Sequence, residues 1–143
     1  MTPVAIRQFR FPEDYVDVIR LWEATEKGLH IGRSDAPGEI EKKLQRDPDL
    51  FLVAEADGEL IGTVIGGYDG RRGFIYHLAV DAAFRGRGIA ARLMSEVEDR
   101  LRARGCLRGY LFVLRDNEDA VFFYEKQGWE RMEYVYSYGK DLI

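Results

Sequence analysis

Apolar positions early in the chain recur with helical spacing, and those in the middle form short runs typical of strands. Val4–Phe9 predicts a short strand, and Pro12 then opens a helix, because proline suits the first helical turn. The apolar face of this helix follows the i, i+3, i+4, i+7 rule and comprises Tyr15, Val18, Ile19 and Trp22. A polar loop, Lys27–Pro37, leads to a second, charged helix over Glu39–Arg46, which ends before Pro48.

The middle of the chain predicts an antiparallel meander of three strands. Phe51–Ala56 is an apolar run, and the Asp57-Gly58 pair after it is a strong two-residue hairpin turn. Leu60–Tyr68 is the partner strand. Asp69-Gly70 then turns the chain into a third strand, Phe74–Val80.

The second half of the chain alternates helices with strands. Apolar residues spaced by four predict a helix over Gly88–Arg104, with Gly105 as its C-cap. The remaining elements are a strand over Tyr110–Leu114, a helix capped by Asn117 or Asp116 and running to about Gln127, an alternating aromatic strand over Trp129–Tyr138, and a last short strand reaching Leu142. A meander followed by a strand–helix–strand crossover predicts a mixed sheet with helices on its faces.

Composition and charge narrow the class of protein. A chain of 143 residues suits one domain, at roughly 100–200 residues per domain. Its net charge of −4 argues against a general nucleic-acid partner, because phosphate binding requires an excess of basic residues. The longest uncharged apolar-rich stretch, Leu60–Tyr68, is far shorter than the roughly 20 residues of a membrane span, and residues 1–10 lack the apolar core of a signal peptide. The single cysteine, Cys106, excludes an internal disulfide and a cysteine-based metal site, so we expect a cytoplasmic protein without a metal.

The segment Val80–Ala90, with the sequence VDAAFRGRGIA, carries the strongest chemical signal. Glycines let the backbone approach a ligand closely, and the start of the following helix adds unpaired N–H donors and partial positive charge. With two arginines this makes a site suited to a phosphate or pyrophosphate. The alternative is a solvated loop that happens to contain two arginines. Neither a Walker A loop nor a dinucleotide-binding fingerprint is present, because no Gly-Lys-Ser/Thr follows and the third glycine of G-x-G-x-x-G is replaced by Ala91.

Four blocks in order give the chain a resemblance to the GNAT family of N-acetyltransferases. Arg85-Gly86-Arg87-Gly88-Ile89-Ala90 matches the family motif Gln/Arg-x-x-Gly-x-Gly/Ala. The other blocks are YHLAV before the loop, RDN at Arg115–Asn117, and FFYEKQGW at Phe122–Trp129. The resemblance covers nearly the whole chain, and within the family the chain is similar to small bacterial single-domain members of the YpeA type.

The resemblance implies an α/β fold and a cosubstrate, acetyl-CoA. The fold is a mixed, mostly antiparallel sheet of six to seven strands, flanked by four helices, in which the parallel strands four and five splay apart to admit the pantetheine arm. By resemblance, the backbone of Val80 pairs with the pantetheine, the Leu78 N–H faces the thioester carbonyl, and the amides from Arg85 to Ala90 hold the pyrophosphate. Asn117 binds a pantetheine amide in this scheme; the alternative is a plain helix N-cap.

The resemblance also places Tyr124 at the position of the general acid that protonates the leaving thiolate. The alternative for Tyr124 is an aromatic core residue. An amine acceptor is mostly protonated at pH 7 and needs a base. His77 is the titrating candidate, with Glu26 and Asp69 as others; His77 can instead be a structural strand histidine, and a water chain needs no dedicated base.

These residues predict an enzyme that moves acetyl from acetyl-CoA to a primary amine of a small molecule or peptide, by direct attack in a ternary complex. The rival prediction is a non-catalytic CoA- or nucleotide-binding regulatory module. Acidic residues near the first two helices favour a cationic acceptor, although they also suit a solvated face: Glu23, Glu26, Asp35 and Glu39. The alternating tyrosines Tyr134, Tyr136 and Tyr138 are expected to pack in the core, or else to stack on a ligand or cover a homodimer interface.

Overall fold

The structure is a computed structural model that describes residues 2–25 and 29–143. Within these residues the element order agrees with the sequence pattern as far as the fourth helix. The elements are β1 (Ala5–Gln8), α1 (Tyr15–Ala24), α2 (Pro37–Arg46), β2 (Phe51–Ala56), β3 (Glu59–Tyr68), β4 (Gly73–Val80), α3 (Ile89–Ala103), β5 (Gly109–Tyr110) and α4 (Glu118–Lys126). Two single turns of 3-10 helix, Arg33–Asp35 and Ala82–Phe84, precede α2 and α3.

The strands form one sheet in the order β1-β2-β3-β4-β5. The first four are antiparallel neighbours, and β4 pairs with β5 in parallel. The register of β3 against β4 shifts between Thr63 and Ile65, which face Ala79 and Tyr76, so β4 carries a bulge at this point. A bulge bends its strand and increases the local twist. The mixed α/β fold with parallel fourth and fifth strands is therefore confirmed.

The number of strands is lower than the six to seven expected, because the described residues form five. The fifth strand stops at Tyr110 instead of Leu114, since its ladder with β4 ends at the Phe74–Tyr110 pair, just before β4 bends at its bulge. The strand expected over Trp129–Tyr138 is wrong, as is the short strand near Leu142: a turn in which the Val135 N–H bonds the Met132 carbonyl interrupts the alternating segment. Alternation makes a strand feasible, but only an adjacent backbone partner completes it.

Helices cover both faces of the sheet. On one face α1 contributes Val18, Leu21 and Trp22 to a cluster with Phe51, Val53 and Ile65. On the other face α3 lies over two glycines of β3, because a Cβ added to Gly62 would stand 3.1 Å from Leu93 Cδ1 and one added to Gly66 would stand 2.8 Å from Val97 Cγ2. The inner strand β2 is almost wholly buried as a result, as expected of a strand packed on both faces.

Ion pairs tie the carboxyl end of α3 to the loop between α2 and β2. The guanidinium of Arg104 donates to Asp47 Oδ1 at 2.8 Å and also to Asp49. Asp47 is buried and bonds Lys43 Nζ as well, at 2.7 Å. The hydrogen bond from Arg104 holds the pKa of Asp49 below its usual value.

The described residues divide into two compact units, one ending at Phe112 and one running from Val113 to Ile143. The first contains the sheet with α1, α2 and α3; the second contains α4. The tail tyrosines Tyr134, Tyr136 and Tyr138 are exposed, so the expectation that they pack in a core is wrong. In the described part of the chain, no helix is long and apolar enough to cross a membrane.

Candidate active site

The carboxyl-terminal half of β4 has an open edge. The ladder with β5 comprises Gly73 with Gly109 and Phe74 with Tyr110, and among the described residues no strand pairs with 75–80 on that side. Leu78 and Val80, assigned by resemblance to the pantetheine arm, lie in this half and are partly buried. The N–H and C=O groups along such an edge are available to an extended ligand that adds itself as a strand.

A short helical turn connects this edge to the glycine-rich loop. Asp81 caps the turn by accepting the Ala83 N–H at 2.8 Å. The side chain of Arg85 folds back so that its Nε donates to the Val80 carbonyl at 3.4 Å, a long hydrogen bond. The guanidinium carbon of Arg87 stands 5.0 Å from the centre of the Phe84 ring, a cation–π contact. Both arginines are exposed, so the loop presents fixed positive charge to solvent.

The loop backbone has the conformation that an anion site requires. Gly86 and Gly88 both have φ of +77°, a left-handed conformation that glycine adopts without strain. No atom lies within 4 Å of a Cβ added at either position, so a ligand can approach the backbone there. Gly88 is the N-cap of α3 and provides no side-chain cap, which leaves the first amides of the helix for another partner.

A surface cavity of about 270 Å³ adjoins this loop. It is lined by Thr2, Pro3, Val4, Arg87, Ile89 and Arg92. Arg92 therefore adds a second guanidinium beside Arg87 near the first turn of α3. Glycine backbone, free helix amides and arginines are the groups that bind phosphate oxygens, so the residues present fit the pyrophosphate of CoA.

His77 occupies the bulge of β4 and makes a close contact with the segment before α2. Its Nε2 lies 3.0 Å from Oδ1 of Asp35, a carboxylate that is itself buried. The other oxygen of Asp35 accepts the Gly32 N–H at 3.0 Å, and the Tyr15 hydroxyl donates to the Asp35 carbonyl at 2.7 Å. The side chain of His77 keeps 17% of its exposure, so solvent reaches part of the ring.

The backbone of His77 is held in an unusual conformation. Its φ of +54° is left-handed, which is uncommon for a residue with a Cβ. The His77 carbonyl accepts the Thr63 hydroxyl at 2.9 Å, and Thr63 in turn accepts the indole N–H of Trp22 at 2.8 Å. The Trp22 ring meets the imidazole edge-on, with ring centroids 4.6 Å apart. Two buried side chains thus fix the position of the imidazole.

Asn117 and Tyr124 belong to the second unit. Asn117 is the N-cap of α4, with Oδ1 accepting the Ala120 N–H at 3.3 Å, so the capping alternative raised for it describes its contact within that unit. This bond uses the oxygen and not the two N–H donors of the amide. Burial raises the pKa of Tyr124 to about 12, and its ring lies edge-on to Phe123 and Trp129. The hydroxyl therefore remains protonated across the ordinary range of assay pH.

The two other candidate bases are Glu26 and Asp69. Glu26 lies outside the described residues. The Asp69 carboxylate accepts the N–H groups of Arg71 and Arg72, which fixes the β3–β4 turn. The N–H groups of Arg72 and Arg71 hold the pKa of Asp69 below its usual value, a state that suits a turn better than a base.

The pairing of Asp35 with His77 was not foreseen from the sequence. The sequence singles out Asp35 only as one of four acidic residues near the first two helices. The two residues are 42 positions apart, and a single sequence contains no periodicity that connects them. No local signal in the sequence reveals the contact either, because Asp35 becomes a buried carboxylate that needs partners only in the folded chain.

Comparison with known proteins places this geometry among acetyltransferases. The model of the acetyltransferase (GNAT) family matches residues 15–129. An acetyltransferase of Pectobacterium atrosepticum is 48% identical over 138 residues, which are 96% of this chain and 95% of that protein. An acetyltransferase of Sodalis glossinidius is 47% identical over 138 residues, with the same shares of both chains.

Solved structures share the fold. Ard1 from Thermoplasma volcanium superposes with a TM-score of 0.75 at 28% identity, over 87% of this chain and 81% of that one. PaiA N-acetyltransferase from Thermoplasma acidophilum, in complex with coenzyme A, gives 0.74 at 22% identity, over 87% and 88%. The aminoglycoside N-acetyltransferase AAC(6')-Iy with a CoA–acetylneamine bisubstrate analogue gives 0.73 at 22% identity, over 98% and 99%. Because the family model spans most of the chain and two named acetyltransferases are nearly half identical to it along almost their full length, this protein belongs to the GNAT acetyltransferase family.

Proposed function

We propose that this protein transfers acetyl from acetyl-CoA to a primary amine by direct attack in a ternary complex. The observation that carries the proposal is the open edge of β4 leading directly into the glycine–arginine loop at the head of α3. Acetyl-CoA supplies an activated thioester. The protein has to bind that donor along the β4 edge and bind an amine next to it. It also has to take a proton from the amine and give a proton to the leaving thiolate.

The cosubstrate site uses the residues of β4 and its loop. The main chain of Leu78 and Val80 binds the pantetheine as a strand binds its neighbour, and the amides from Arg85 to Ala90 with the two guanidiniums bind the pyrophosphate. The exposure of the loop and the empty space at Gly86 and Gly88 support this assignment. Asn117 uses its free amide donors to bind the pantetheine from the side of α4.

Tyr124 is the general acid in this proposal. As the amine nitrogen bonds to the carbonyl carbon and the C–S bond breaks, the thiolate needs a proton, which a phenol can supply. A hydroxyl whose pKa is raised to about 12 by burial is always protonated when the thiolate forms. A covalent acyl-enzyme is not part of the proposal, because the one cysteine, Cys106, lies by Gly73 at the far end of β4, with Sγ against the Arg108 carbonyl.

We also propose that both units together form one acetyltransferase domain in the cytoplasm. The family model runs across the division at Phe112, and a single cysteine suits a reducing compartment. One calorimetric transition of the full chain, with equal calorimetric and van't Hoff enthalpies, is the expected result. Two separate transitions would contradict a single domain.

The acceptor is a primary amine on a small molecule or peptide. Among structures with the same fold, AAC(6')-Iy holds an acetylated aminoglycoside analogue and the NatC complex holds a peptide. The test is release of CoA thiol from acetyl-CoA with amino acids, polyamines, aminoglycosides and N-terminal peptides, detected by a disulfide reagent. An enzyme-only blank corrects for the thiol of Cys106.

We expect at least one amine to accelerate thiol release and to gain one acetyl group by mass spectrometry. Arg87→Ala should weaken CoA binding and raise KM for acetyl-CoA, while Arg71→Ala, an exposed arginine on the β3–β4 turn, should do neither. Tight CoA binding without thiol release for any amine would contradict the proposal and favour a binding module.

A further inference from the structure

We infer that Asp35 is a positioning residue that keeps the proton of the neutral His77 imidazole on Nε2, so that Nδ1 takes a proton from the acceptor ammonium. The inference rests on the proposed acetyl transfer and supplies the base that it needs.

The contact between the two side chains selects the tautomer. An ionised carboxylate only accepts hydrogen bonds, so Nε2, 3.0 Å from Asp35 Oδ1, has to carry the hydrogen. The second carboxylate oxygen accepts the Gly32 N–H at 3.0 Å, which prevents the carboxylate from turning away. In the neutral ring the remaining nitrogen, Nδ1, is then an acceptor with a free electron pair.

The ring and its carboxylate partner are held in place by two further elements of the fold, α1 and β3. The edge-on contact with Trp22 of α1 and the bond from Thr63 of β3 to the His77 carbonyl fix ring and backbone. The Tyr15 hydroxyl anchors the Asp35 carbonyl, so the carboxylate is positioned as firmly as the imidazole. Such restraint is what a catalytic base requires, because proton transfer depends on geometry first.

The location of His77 distinguishes a base from a merely structural histidine. The left-handed backbone is strained for a residue with a Cβ, and such strain clusters at functional sites. The strained residue directly precedes Leu78 on the open half of β4, where the thioester is proposed to lie. Part of the ring remains accessible to solvent, so a protonated amine or an intervening water can reach it.

Asp35 is the charged group that hydrogen-bonds the ring, and two tyrosines lie near the pair. Tyr76 of β4 meets the imidazole edge-on at 5.7 Å, and burial, with the charges of Asp47 and Asp35, raises its pKa. Burial, with the charge of Asp35, also raises the pKa of Tyr15. Both tyrosines are therefore neutral at assay pH. Lys43, which like Tyr76 lies within 4 Å of the Cβ position of Gly67, is paired with Asp47.

In the proposed step, a proton moves from the acceptor ammonium to His77. One N–H bond of the acceptor ammonium breaks, its proton moves to Nδ1, and the electron pair stays on the amine nitrogen as the nucleophile. The imidazolium that forms donates from Nε2 to the Asp35 carboxylate and then releases the proton from Nδ1 to water.

The first test uses the full-length protein alone. Two histidines are present, His30 and His77, so long-range ¹H–¹⁵N spectra of ¹⁵N-histidine-labelled protein contain two rings, and His30→Gln assigns them. We expect His77 to show the Nε2–H pattern, and Asp35→Asn to shift its nitrogens toward a mixture of tautomers. An Nδ1–H pattern in the wild type, or one unchanged by Asp35→Asn, would overturn the inference.

The second test separates a base from a structural residue by kinetics. His77→Asn is the suitable variant, since asparagine tolerates a positive φ and removes the imidazole. The probes are the best acceptor from the amine screen and its analogue with a trifluoromethyl group on the carbon that bears the amine, which lowers the amine pKa so that the free base dominates at assay pH. We expect both His77→Asn and Asp35→Asn to lower kcat/KM for the first by about 10²-fold or more and for the second much less, with His30→Gln near wild type.

Equal losses for the two amines would mean that His77 has a structural role and would overturn the inference. Failure of the proposed function is a different result: no amine would support thiol release by the wild type. The tautomer spectra would still report on Asp35, but His77 would then have no acceptor to deprotonate, and the catalytic part of the inference would fall as well.

Discussion

Replacing Gly88 by alanine, with Gly58→Ala as a matched control, tests the anion site directly. Both glycines have φ of +77°, and no atom lies within 4 Å of an added Cβ at either one. The only common penalty is therefore the left-handed backbone, about 1–2 kcal/mol for a residue with a Cβ. Gly88 lies in the loop at the head of α3, and Gly58 lies in the hairpin turn between β2 and β3.

The structure predicts equal losses of stability and unequal losses of binding. At an m-value of about 2 kcal/mol/M, each variant should lower the urea midpoint by roughly 0.5–1 M. A domain of ordinary stability, about 5–15 kcal/mol, stays folded after such a loss, so binding can be compared directly. At the proposed site, a methyl group added at Gly88 would lie toward the CoA pyrophosphate, and a shift of the strained backbone would turn the loop amides away from it. Losing one charge-assisted hydrogen bond, about 1.5–3 kcal/mol, weakens CoA binding by about 10- to 150-fold.

Isothermal titration with CoA measures the difference, and urea unfolding followed by tryptophan fluorescence measures the shared penalty. Gly58→Ala should bind CoA within about twofold of wild type. The reasoning is refuted if Gly88→Ala also binds like wild type while losing stability, because the glycine would then serve only the helix start. It is equally refuted if both variants lose affinity to the same degree.

Three further outcomes follow from contacts described above. Tyr124→Phe should lower kcat by about 10²-fold with little change in CoA affinity, and in the wild type kcat should not fall through loss of this proton until the pH approaches 12; a wild-type rate in the variant would exclude the acid role. Asp49→Asn should destabilise the protein more at pH 7 than at pH 3, because a carboxylate whose pKa Arg104 holds low adds stability that is fully present above the ordinary value of 3.8 and is lost as pH falls from there through the lowered pKa; urea midpoints at both pH values measure this. Gly66→Ala places its Cβ 2.8 Å from the stiff side chain of Val97 and should cost about 1–3 kcal/mol in urea unfolding, and an unchanged midpoint would show that α3 shifts freely.

The elements whose burial follows from local pattern were predictable from the sequence. Phe51–Ala56 is an apolar run, and the helix after Gly88 has strong apolar periodicity; the structure forms both within a residue of the predicted bounds. The glycine–arginine loop was predictable as a binding loop because its chemistry is local to a few residues. The strand predicted over Trp129–Tyr138 does not form. Alternation describes the side chains of one segment, whereas a strand needs the backbone of another segment beside it.

The surroundings of His77 were beyond the reach of a single sequence. Its left-handed backbone arises from the register shift between β3 and β4, which depends on how two strands align over many residues. Its hydrogen-bond partner Asp35 lies in the 3-10 turn before α2, and α2, β2 and β3 separate it from His77 in the chain. Such contacts are set by tertiary packing, which overrides local preference.

Because α3 packs against glycines of β3, its position along the sheet is fixed. Leu93 and Val97 rest over Gly62 and Gly66, and Arg104 anchors the far end, so sliding the helix by one turn, about 5.4 Å, would drive side chains into the β3 backbone. The distance between the end of β4 and the first amides of α3 is thereby held constant. Residues inserted at 81–88 would bulge outward without moving the helix, whereas an insertion at 89–103 would break the alignment. If the β4 edge holds the acyl donor as proposed, redesign for a larger donor should change residues of that edge and leave the position of α3 unchanged.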